Sequence, residues 1–244
     1  METTSKPKPK RAWRRRSVHW TVGLAVLYLT FAYMVAPEFW LFHTRDEVFA
    51  PAHMLTHTPD GIAGDPINVG LVSEKPDILR AFAAAGWDAA DAITLRSSLE
   101  IGESVLFDRP YPDAPVSTLL YEGRKQDLAF EKPVGRSADQ RHHVRFWKTA
   151  KTGPNGAPLW LGSASFDRDV GLSHDTGQIT HHIGPDVDAE RDALVADLEK
   201  AGWVESTYVI AGRGETLDGR NGGGDLYYTD GEAWVAVLAK PASH

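Results

Sequence analysis

The chain contains no cysteine among its 244 residues. This absence excludes a disulfide framework, a thiolate metal site and a cysteine nucleophile. Two catalytic signatures are also missing. No Gly-x-Ser-x-Gly sequence marks a serine nucleophile, and the glycine-rich segment 212–224 lacks the Gly-Lys-Ser/Thr ending of a phosphate-binding loop. The sequence therefore does not point to thiol chemistry, to a serine hydrolase triad or to nucleotide binding at that segment.

Basic charge is scarce outside the first residues of the chain. Residues 1–16 contain seven basic side chains and one acid, whereas the remainder contains 19 basic and 32 acidic residues, a net charge of −13. Nucleic-acid binding depends on cationic neutralisation of phosphates, so we expect no nucleic-acid partner. With 42% hydrophobic residues, the chain is long enough for one large domain or two small ones.

One long run lacks charge altogether. Residues 18–36 contain no Asp, Glu, Lys or Arg, and as a helix they would span about 28 Å, close to the thickness of a bilayer core. Trp20 and Trp40 lie near the two ends, where aromatic rings favour the headgroup region. A transmembrane helix is the prediction. The alternatives are a buried soluble helix and a cleaved signal peptide, for which Pro37 directly after Ala36 is a poor cleavage site.

The charges on either side of this run predict its orientation. Basic residues precede it, so the positive-inside rule places residues 1–17 in the cytoplasm as a basic tail and the C-terminal domain outside the cell. The predicted organisation is a single-pass protein of the cell membrane, with the lipid bilayer and other membrane proteins as partners. Residues 18–36 are the transmembrane helix, residues 37–63 a stand-off linker and residues 64–240 one domain.

Two strand–helix units organise that domain. INVGLV (67–72) precedes a helix that Ser73 would cap and Gly86 would end, and QITHHI (178–183) precedes a helix ending at Gly202. The predicted fold class is α/β, with α+β as the alternative: a single mixed-sheet domain with two or three covering helices. The sequence also predicts a helix at 94–107, strands at 116–123, 141–148 and 159–167, a flexible loop at 212–224, and hairpins about Asn155-Gly156 and Asp230-Gly231.

Several uncommon strings together carry a family resemblance. They occur in order: INVGLV, AGWDAADAITLRSSL, RPYPDAPVS, GRKQDLAFEKPVGRS, RHHVRFWK, WLGSASFD and TGQITHHIGPDVDAERD. Over residues 64–210 the chain resembles the LssY C-terminal domain family. The resemblance implies a membrane-linked bacterial domain, in a family whose other members are attached to DedA-type or phosphatidic-acid-phosphatase-type domains. The resemblance therefore implies an association with membrane lipid-phosphate or secretion chemistry. It does not identify a reaction or a catalytic residue.

Two His-His pairs raise the question of a site. Side chains alternate along a strand, so the two histidines of each pair lie on opposite faces and cannot coordinate the same metal ion. If strands 141–148 and 178–183 are neighbours, one polar face would carry His143, Arg145, Thr180 and His182, with Arg141 at its edge, and would suit an anionic headgroup. The site would lie near the Gly184-Pro185 turn. The alternative is that His142 and His181 are core residues and that the other two histidines are solvated.

Carboxylates near the second pair offer a metal site. Asp167, Asp169 and Asp186 could join His182 as oxygen and nitrogen ligands of a divalent ion, although their spacing is less strict than a zinc signature. The alternative for Asp186 and Asp188 is capping of the following helix. The sequence leaves open whether a cofactor is bound and whether the protein is an enzyme.

Three functions remain as hypotheses. The preferred one is a membrane-anchored extracytoplasmic binding or accessory domain of the cell envelope that recognises anionic or phosphorylated lipid or envelope ligands. The others are a divalent-metal-dependent hydrolase acting on phosphorylated lipid or envelope substrates, and a structural subunit of a secretion or envelope complex.

Overall fold

The computed structural model describes residues 10–43, 54–90, 96, 118–135 and 140–239. The predicted helix at 94–107 lies outside these residues except for Arg96. The helices are α1 Lys10–Thr30, which a π-helical turn at Phe31–Val35 joins to α2 Ala36–His43, then α3 Lys75–Ala84 and α4 Val187–Lys200. The strands are β1 Leu55–His57, β2 Ala63–Pro66, β3 Val69–Val72, β4 Asp88–Ala89, β5 Leu120–Tyr121, β6 Arg124–Lys125, β7 Leu128–Pro133, β8 Arg141–Thr152, β9 Pro158–Leu172, β10 Ile179–Ile183, β11 Val204–Ala211, β12 Thr216–Arg220, β13 Leu226–Thr229 and β14 Glu232–Leu238.

The predicted fold class is confirmed: an apolar N-terminal helix precedes a mixed-sheet domain with helices. The segment Ser17–Trp40 has a mean hydropathy of 1.6 and is long and apolar enough to cross a membrane. Helix continues to His43 and strand β1 starts at Leu55, so ordered structure occupies both ends of the predicted linker.

One eight-stranded sheet forms the centre of the domain. Its order is β11-β14-β3-β9-β8-β7-β4, with β10 paired to β9, and only the β14–β3 pair is parallel. Helices α3 and α4 cover one face. There Phe82 of α3 stacks on Phe130 with ring centroids 3.9 Å apart, and Leu194 and Leu198 of α4 are fully buried. This face holds the larger hydrophobic core.

A four-stranded sheet, ordered β2-β1-β5-β6, covers part of the opposite face. Trp147 of β8 is buried here beside Tyr121 of β5, and its indole N–H donates to the Arg124 carbonyl at 3.0 Å. Ile67 and Val237 complete this second apolar layer. The two layers bury β8 on both faces along its first half, including the polar side chains of that half.

Strand β9 lies between β8 and β10, so strands 141–148 and 178–183 are not neighbours. Asp167 of β9 pairs with Arg141 on one side and with Ile183 on the other. A β-bulge at the β10 junction makes His182 pair with Asp169 and leaves Arg168 as the extra residue of β9. Bulges re-aim side chains where pairing is interrupted.

The hairpin at Asn155-Gly156 is confirmed by the pairing of β8 with β9, whereas the hairpin at Asp230-Gly231 is wrong. Strand β13 pairs with β12, and β14 pairs with β11 and β3. The Asp188 carboxylate explains the separation because it accepts hydrogen bonds from Thr229 Oγ1 at 2.7 Å and from Asp230 N at 2.6 Å.

Two local predictions also need correction. The segment 212–224 contains strand β12 and is not only a loop. The prediction that Ser73 caps helix α3 is wrong, because the N-cap is Glu74, whose side chain makes no capping hydrogen bond. Ser73 lies one residue earlier, and its carbonyl accepts a hydrogen bond from the Trp160 indole N–H at 3.0 Å. Gly86 ends that helix region with φ 77°, as the sequence predicts.

The turn between β9 and β10 contacts the apolar helix. Tyr28 donates its hydroxyl proton to the Gly177 carbonyl, and Gln178 donates from Nε2 to the Ala32 carbonyl at 3.2 Å. The Ile179 N–H donates to the Tyr33 hydroxyl at 3.3 Å. Ala32 is 1% exposed as a result. The domain is therefore docked on the C-terminal part of the helix and is not merely tethered to it.

Candidate functional site

A row of polar side chains lies on the buried face of β8. Arg141, His143 and Arg145 alternate along the strand and are 3%, 1% and 5% exposed. Alternation correctly predicts that they share a face, but the expectation of a solvated His143 is wrong because the second sheet covers that side. His142, the predicted core histidine, is only partly buried, and its Nδ1 lies 2.6 Å from Glu190 Oε2.

Arg141 is the centre of a buried charge network. Its Nη1 donates to Glu131 Oε2 at 2.8 Å and its Nε donates to Asp167 Oδ2 at 3.0 Å. Its Nη2 lies 3.1 Å from His181 Nε2. Two carboxylates thus compensate one guanidinium, and the expectation that Arg141 supplies positive charge to a ligand is not met.

The second histidine pair is divided in the opposite way from the prediction. Ile183 pairs with Asp167, so His181, two residues before it, shares the face of Arg141. His182 faces the other side of β10. The predicted combination of His143 with His182 is therefore wrong, and His181 takes the place of His182. The register of β10 against β9 beyond the bulge determines which histidine faces Arg141, and no sequence pattern predicts that register.

A cavity of about 350 Å³ opens beside this network. Arg145, Asp167 and His181 line it from the large sheet, and Asp65 lines it from β2. Tyr33 of the apolar helix forms part of its wall. Thr180, Gln178, Thr118, Asp60 and Asn221 supply further polar groups. The cavity thus joins three parts of the chain that are distant in sequence.

Burial perturbs the acids and the histidine around the cavity. Burial raises the pKa of Asp65, against the lowering effect of Arg145, whose Nη1 lies 3.8 Å from Asp65 Oδ2. Burial likewise raises the pKa of Glu131, despite the nearby Arg141. Burial, followed by the charges of Arg145 and Arg141, holds the pKa of His143 well below its usual value. Carboxylates are thus shifted toward neutrality while the imidazole stays uncharged.

Next to these groups lie buried side-chain atoms that have no hydrogen-bond partner within the described part of the chain. Among them are His143 Nε2 and Ser163 Oγ. Buried polar groups are nearly always satisfied by protein or by ordered water, so such atoms mark a place where water or a ligand completes the network. Both belong to the same sheet face as Arg145, since Ser163 pairs with Arg145 across β8 and β9.

A second cluster lies on the other side of β10. The side chains of His174, His182 and Asp225 offer ligand atoms that lie within 4.8 Å of one another. His182 Nδ1 is 2.9 Å from Asp225 Oδ1, and His174 Nε2 is 3.7 Å from the same oxygen. Arg168 Nη2 lies 3.8 Å from it on an exposed side chain.

The backbone holds this cluster in place. The Ile183 N–H donates to Asp225 Oδ2 at 3.1 Å, and the Asp225 N–H donates to Asn221 Oδ1 at 2.9 Å. The His174 N–H donates to the Gly223 carbonyl at 2.9 Å. The β9–β10 turn and the loop before β13 are thereby joined. These bonds fix the Asp225 carboxylate and the backbone at His174, whereas the His174 side chain itself is exposed.

The four predicted metal ligands do not form one site. Asp167 binds Arg141, Asp169 is exposed, and Asp186 Oδ1 caps helix α4 by accepting from the Ala189 N–H at 3.0 Å. His182 alone belongs to the cluster with His174 and Asp225. The sequence does not indicate these two residues, because Asp225 follows a glycine-rich segment that predicts a loop. No sequence spacing links it to His174.

Comparison with known families gives one result. The family model described as LssY C-terminus matches residues 49–233. No match was found among curated proteins or among solved structures. The matched segment includes the charge network, the His174–His182–Asp225 cluster and the cavity-lining residues of the domain, but not Tyr33 of the apolar helix. Since it covers well over half of the sequence, the chain belongs to the LssY C-terminus family.

Proposed function

We propose that this protein is a membrane-anchored, extracytoplasmic binding domain of the cell envelope whose cavity receives a phosphorylated lipid headgroup. One observation carries the proposal: the polar cavity is walled in part by Tyr33, a residue of the apolar helix itself. A headgroup in the adjoining leaflet would reach the cavity without leaving the membrane surface.

The exposure of the helix supports anchoring in a membrane. Trp20, Leu24 and Leu27 are 74%, 63% and 65% exposed, although they belong to an apolar segment of 24 residues. A core helix of a soluble protein buries such side chains, whereas a bilayer provides them with an apolar solvent. The side of the helix that contacts the domain carries the small residues Ala32 and Ala36, which are buried.

The turn that docks on the helix is itself apolar. Val170, Leu172 and Ile179, at the ends of β9 and β10, are 46%, 54% and 68% exposed. Tyr28 lies 12 residues before Trp40, about 18 Å along a helix, so the contacts of this turn fall within the outer half of the span. At that depth Val170, Leu172 and Ile179 would lie against lipid acyl chains, which favours a membrane-facing placement of the cavity mouth.

The charges in the cavity favour a phosphate group at its inner end. Arg145 and His181 both line it, and guanidinium and imidazole groups bind phosphoryl oxygens. Asp65 is the nearest acid to Arg145, and burial raises the pKa of this acid, which shifts it toward the uncharged form that donates a hydrogen bond. Asp167 is already bound by Arg141.

A short-chain lipid provides the test. The full chain in detergent is titrated with dihexanoyl phosphatidic acid, dihexanoylglycerol or inorganic phosphate, and binding is followed by calorimetry. Saturable binding of phosphatidic acid alone supports a lipid headgroup, and the Arg145→Gln variant should weaken it at least tenfold. Arg80→Gln, on helix α3, is the matched control and should bind as the wild type does.

Two outcomes would contradict the proposal. Equal binding of phosphatidic acid and dihexanoylglycerol would show that the phosphate is not recognised, and binding of inorganic phosphate alone would remove the lipid. Because Arg145 is buried, each variant is also compared by thermal unfolding. The milder Thr180→Val change at the cavity wall provides a second variant, with affinity expected to fall several-fold.

The orientation is tested separately. A single cysteine at Asn155, in the exposed β8–β9 turn, should react with a membrane-impermeant maleimide in intact cells. A single cysteine at Ser5 should react only after lysis, since the basic segment is expected in the cytoplasm. The reverse labelling pattern would show that the domain faces the cytoplasm. The chain has no other cysteine to react.

A metal-dependent hydrolase of phosphorylated lipid or envelope substrates is the second candidate. The His174–His182–Asp225 cluster favours it, because two imidazoles and one carboxylate are a frequent ligand set of catalytic zinc. Release of phosphate from phosphatidic acid by the EDTA-treated protein after addition of Zn²⁺ would support it. Equal rates with His174→Ala would count against it.

A further inference from the structure

We infer that His174, His182 and Asp225 form a binding site for a divalent metal ion of the zinc type. The ligand atoms of these residues lie within 4.8 Å of one another. Two ligand atoms on one tetrahedral zinc ion are about 3.3 Å apart when each bond is 2.0–2.1 Å. The distances from Asp225 Oδ1 to His182 Nδ1 and His174 Nε2, 2.9 and 3.7 Å, lie on either side of that value.

The orientation of the His182 ring selects Nδ1 as its ligand atom. A Cβ placed on Gly171 would lie 2.7 Å from His182 Nε2, so that nitrogen is pressed against the β9 backbone. Nδ1 points to Asp225. A metal ion between Nδ1 and the carboxylate would take the place of the contact between them.

The remaining two ligands differ in mobility. Asp225 is 4% exposed and is fixed by the Ile183 N–H, which bonds its other oxygen. The His174 side chain is 61% exposed and can rotate toward the ion. Two ordered ligands and one adjustable ligand leave coordination positions open toward solvent, as in metal sites that exchange a water or a substrate group.

An unsatisfied carboxylate oxygen borders the same cluster. The Asp175 side chain is 2% exposed, and its Oδ1 accepts from Arg220 Nη1 at 2.6 Å. Its Oδ2 is buried without a hydrogen-bond partner among the described residues. A Cβ on Gly224, the residue before Asp225, would lie 2.9 Å from that oxygen. A cation or a metal-bound water beside Asp225 would satisfy it.

Two arginines determine what the open positions would accept. Arg168 and Arg220 line the shallow pocket that also contains His174 and Asp225. Their charge opposes a bare cation, but it favours an anionic group on the metal, as expected for a phosphate or carboxylate ligand. The inference is independent of the headgroup cavity, because β10 separates the two and no residue is shared between the proposed ligand sets.

The test measures metal binding directly. The full chain, purified with an affinity tag that contains no histidine and treated with EDTA, is titrated with Zn²⁺ by calorimetry and with Co²⁺ by visible absorption. We expect one equivalent of Zn²⁺ per chain and the visible bands of nitrogen- and oxygen-bound Co²⁺. His174→Ala should weaken Zn²⁺ binding at least tenfold, and Asp225→Asn should do the same.

The controls separate ligand loss from misfolding. His174 is exposed, so its removal should leave thermal unfolding unchanged while metal binding is lost. Asp169→Asn changes a neighbouring exposed carboxylate outside the cluster and should keep the wild-type affinity. Sub-stoichiometric binding, or an unchanged affinity in His174→Ala, would overturn the inference.

Discussion

The buried guanidinium of Arg141 links three polar side chains in the interior of the sheet. It is 3% exposed and binds two carboxylates and one imidazole. Buried ion pairs give little net stability over apolar residues, but the removal of one partner leaves uncompensated charge in a medium that solvates it poorly. We therefore expect Arg141 to contribute to folding, whatever the ligand of the neighbouring cavity.

Arg141→Met should lower the free energy of unfolding by about 3–5 kcal/mol, because Glu131 and Asp167 would lose their shared counterion. Arg80→Met, which removes a partly exposed pair with Asp77, should cost less than about 1 kcal/mol. Thermal and denaturant unfolding of both variants in detergent measures the difference. Similar values for the two would show that the network contributes no more than a surface pair.

His143 makes stability depend on pH. Its folded pKa lies well below 6.5, so the unfolded chain binds a proton below pH 6.5 that the folded chain does not bind. Stability is therefore lost as the pH falls through that range, by up to ~1.4 kcal/mol per pH unit. Between pH 7.5 and 5.5, His143→Gln should flatten the dependence of the unfolding midpoint on pH.

The comparison of slopes isolates this histidine from the buried acids. Asp65 and Glu131 have raised pKa values, so they bind more protons in the folded chain and act in the opposite direction as the pH rises. Both groups are present in the wild type and the variant. Equal slopes in the two proteins would mean that folding does not lower the pKa of His143.

Helix α4 and strand β13 are joined through one carboxylate. Asp188 accepts from Thr229 and from the Asp230 N–H, and Arg191 binds Asp230 through Nη1 and Nη2 at 3.0 and 3.1 Å. Asp188→Ala should lower the free energy of unfolding by about 1–3 kcal/mol through the lost hydrogen bonds. The exposed Glu199→Ala on the same helix should change it by less than about 0.5 kcal/mol. If Asp188→Ala hardly changes the free energy of unfolding, the separation of β13 from β14 results from sheet pairing and not from the Asp188 hydrogen bonds.

The sequence predicts local structure better than strand partners. The turn at Asn155-Gly156 is encoded by the two residues themselves, and alternation assigns the shared face of His143 and Arg145 correctly. The partner of β13 depends on Asp188, about 40 residues earlier, and the choice between His181 and His182 depends on a bulge at Arg168. These long-range choices leave no periodic pattern to read.

The burial of the polar side chains of β8 could not be predicted from the sequence either. An Arg–His–Arg alternation is typical of a solvated strand face, but it is buried here beneath the four-stranded sheet, from which Asp65 of β2 approaches Arg145. The His174–His182–Asp225 cluster is also hidden from the sequence, because it combines residues of a turn, a strand and a loop. Family membership was predictable because its strings are contiguous, whereas a site assembled across the fold is not.

In the molecule as a whole, the cavity, the His174–His182–Asp225 cluster and the apolar helix all meet at the β9–β10 turn. The turn contributes Gln178 to the cavity, His174 to the cluster and Gly177 to the helix contact. Arg220 adds a further connection, since its guanidinium lies 5.7 Å from the centroid of the Trp40 ring and also binds Asp175. Movement of the helix relative to the domain would therefore reach both sites at once.

The close approach of the β9–β10 turn to the apolar helix also allows their separation to be measured by a disulfide crosslink. A Cβ on Gly177 would lie 3.9 Å from Ala32 Cβ, which matches the separation across a disulfide bond. In a chain without native thiols, Ala32→Cys with Gly177→Cys should crosslink under mild oxidation, despite some strain at Gly177, where φ is 73°. Gly23→Cys with Gly177→Cys, about 13 Å further along the helix, should not. If a ligand or metal ion moves the domain relative to the helix, the yield of the first crosslink should change. A gel mobility shift measures this yield in the membranes of intact cells.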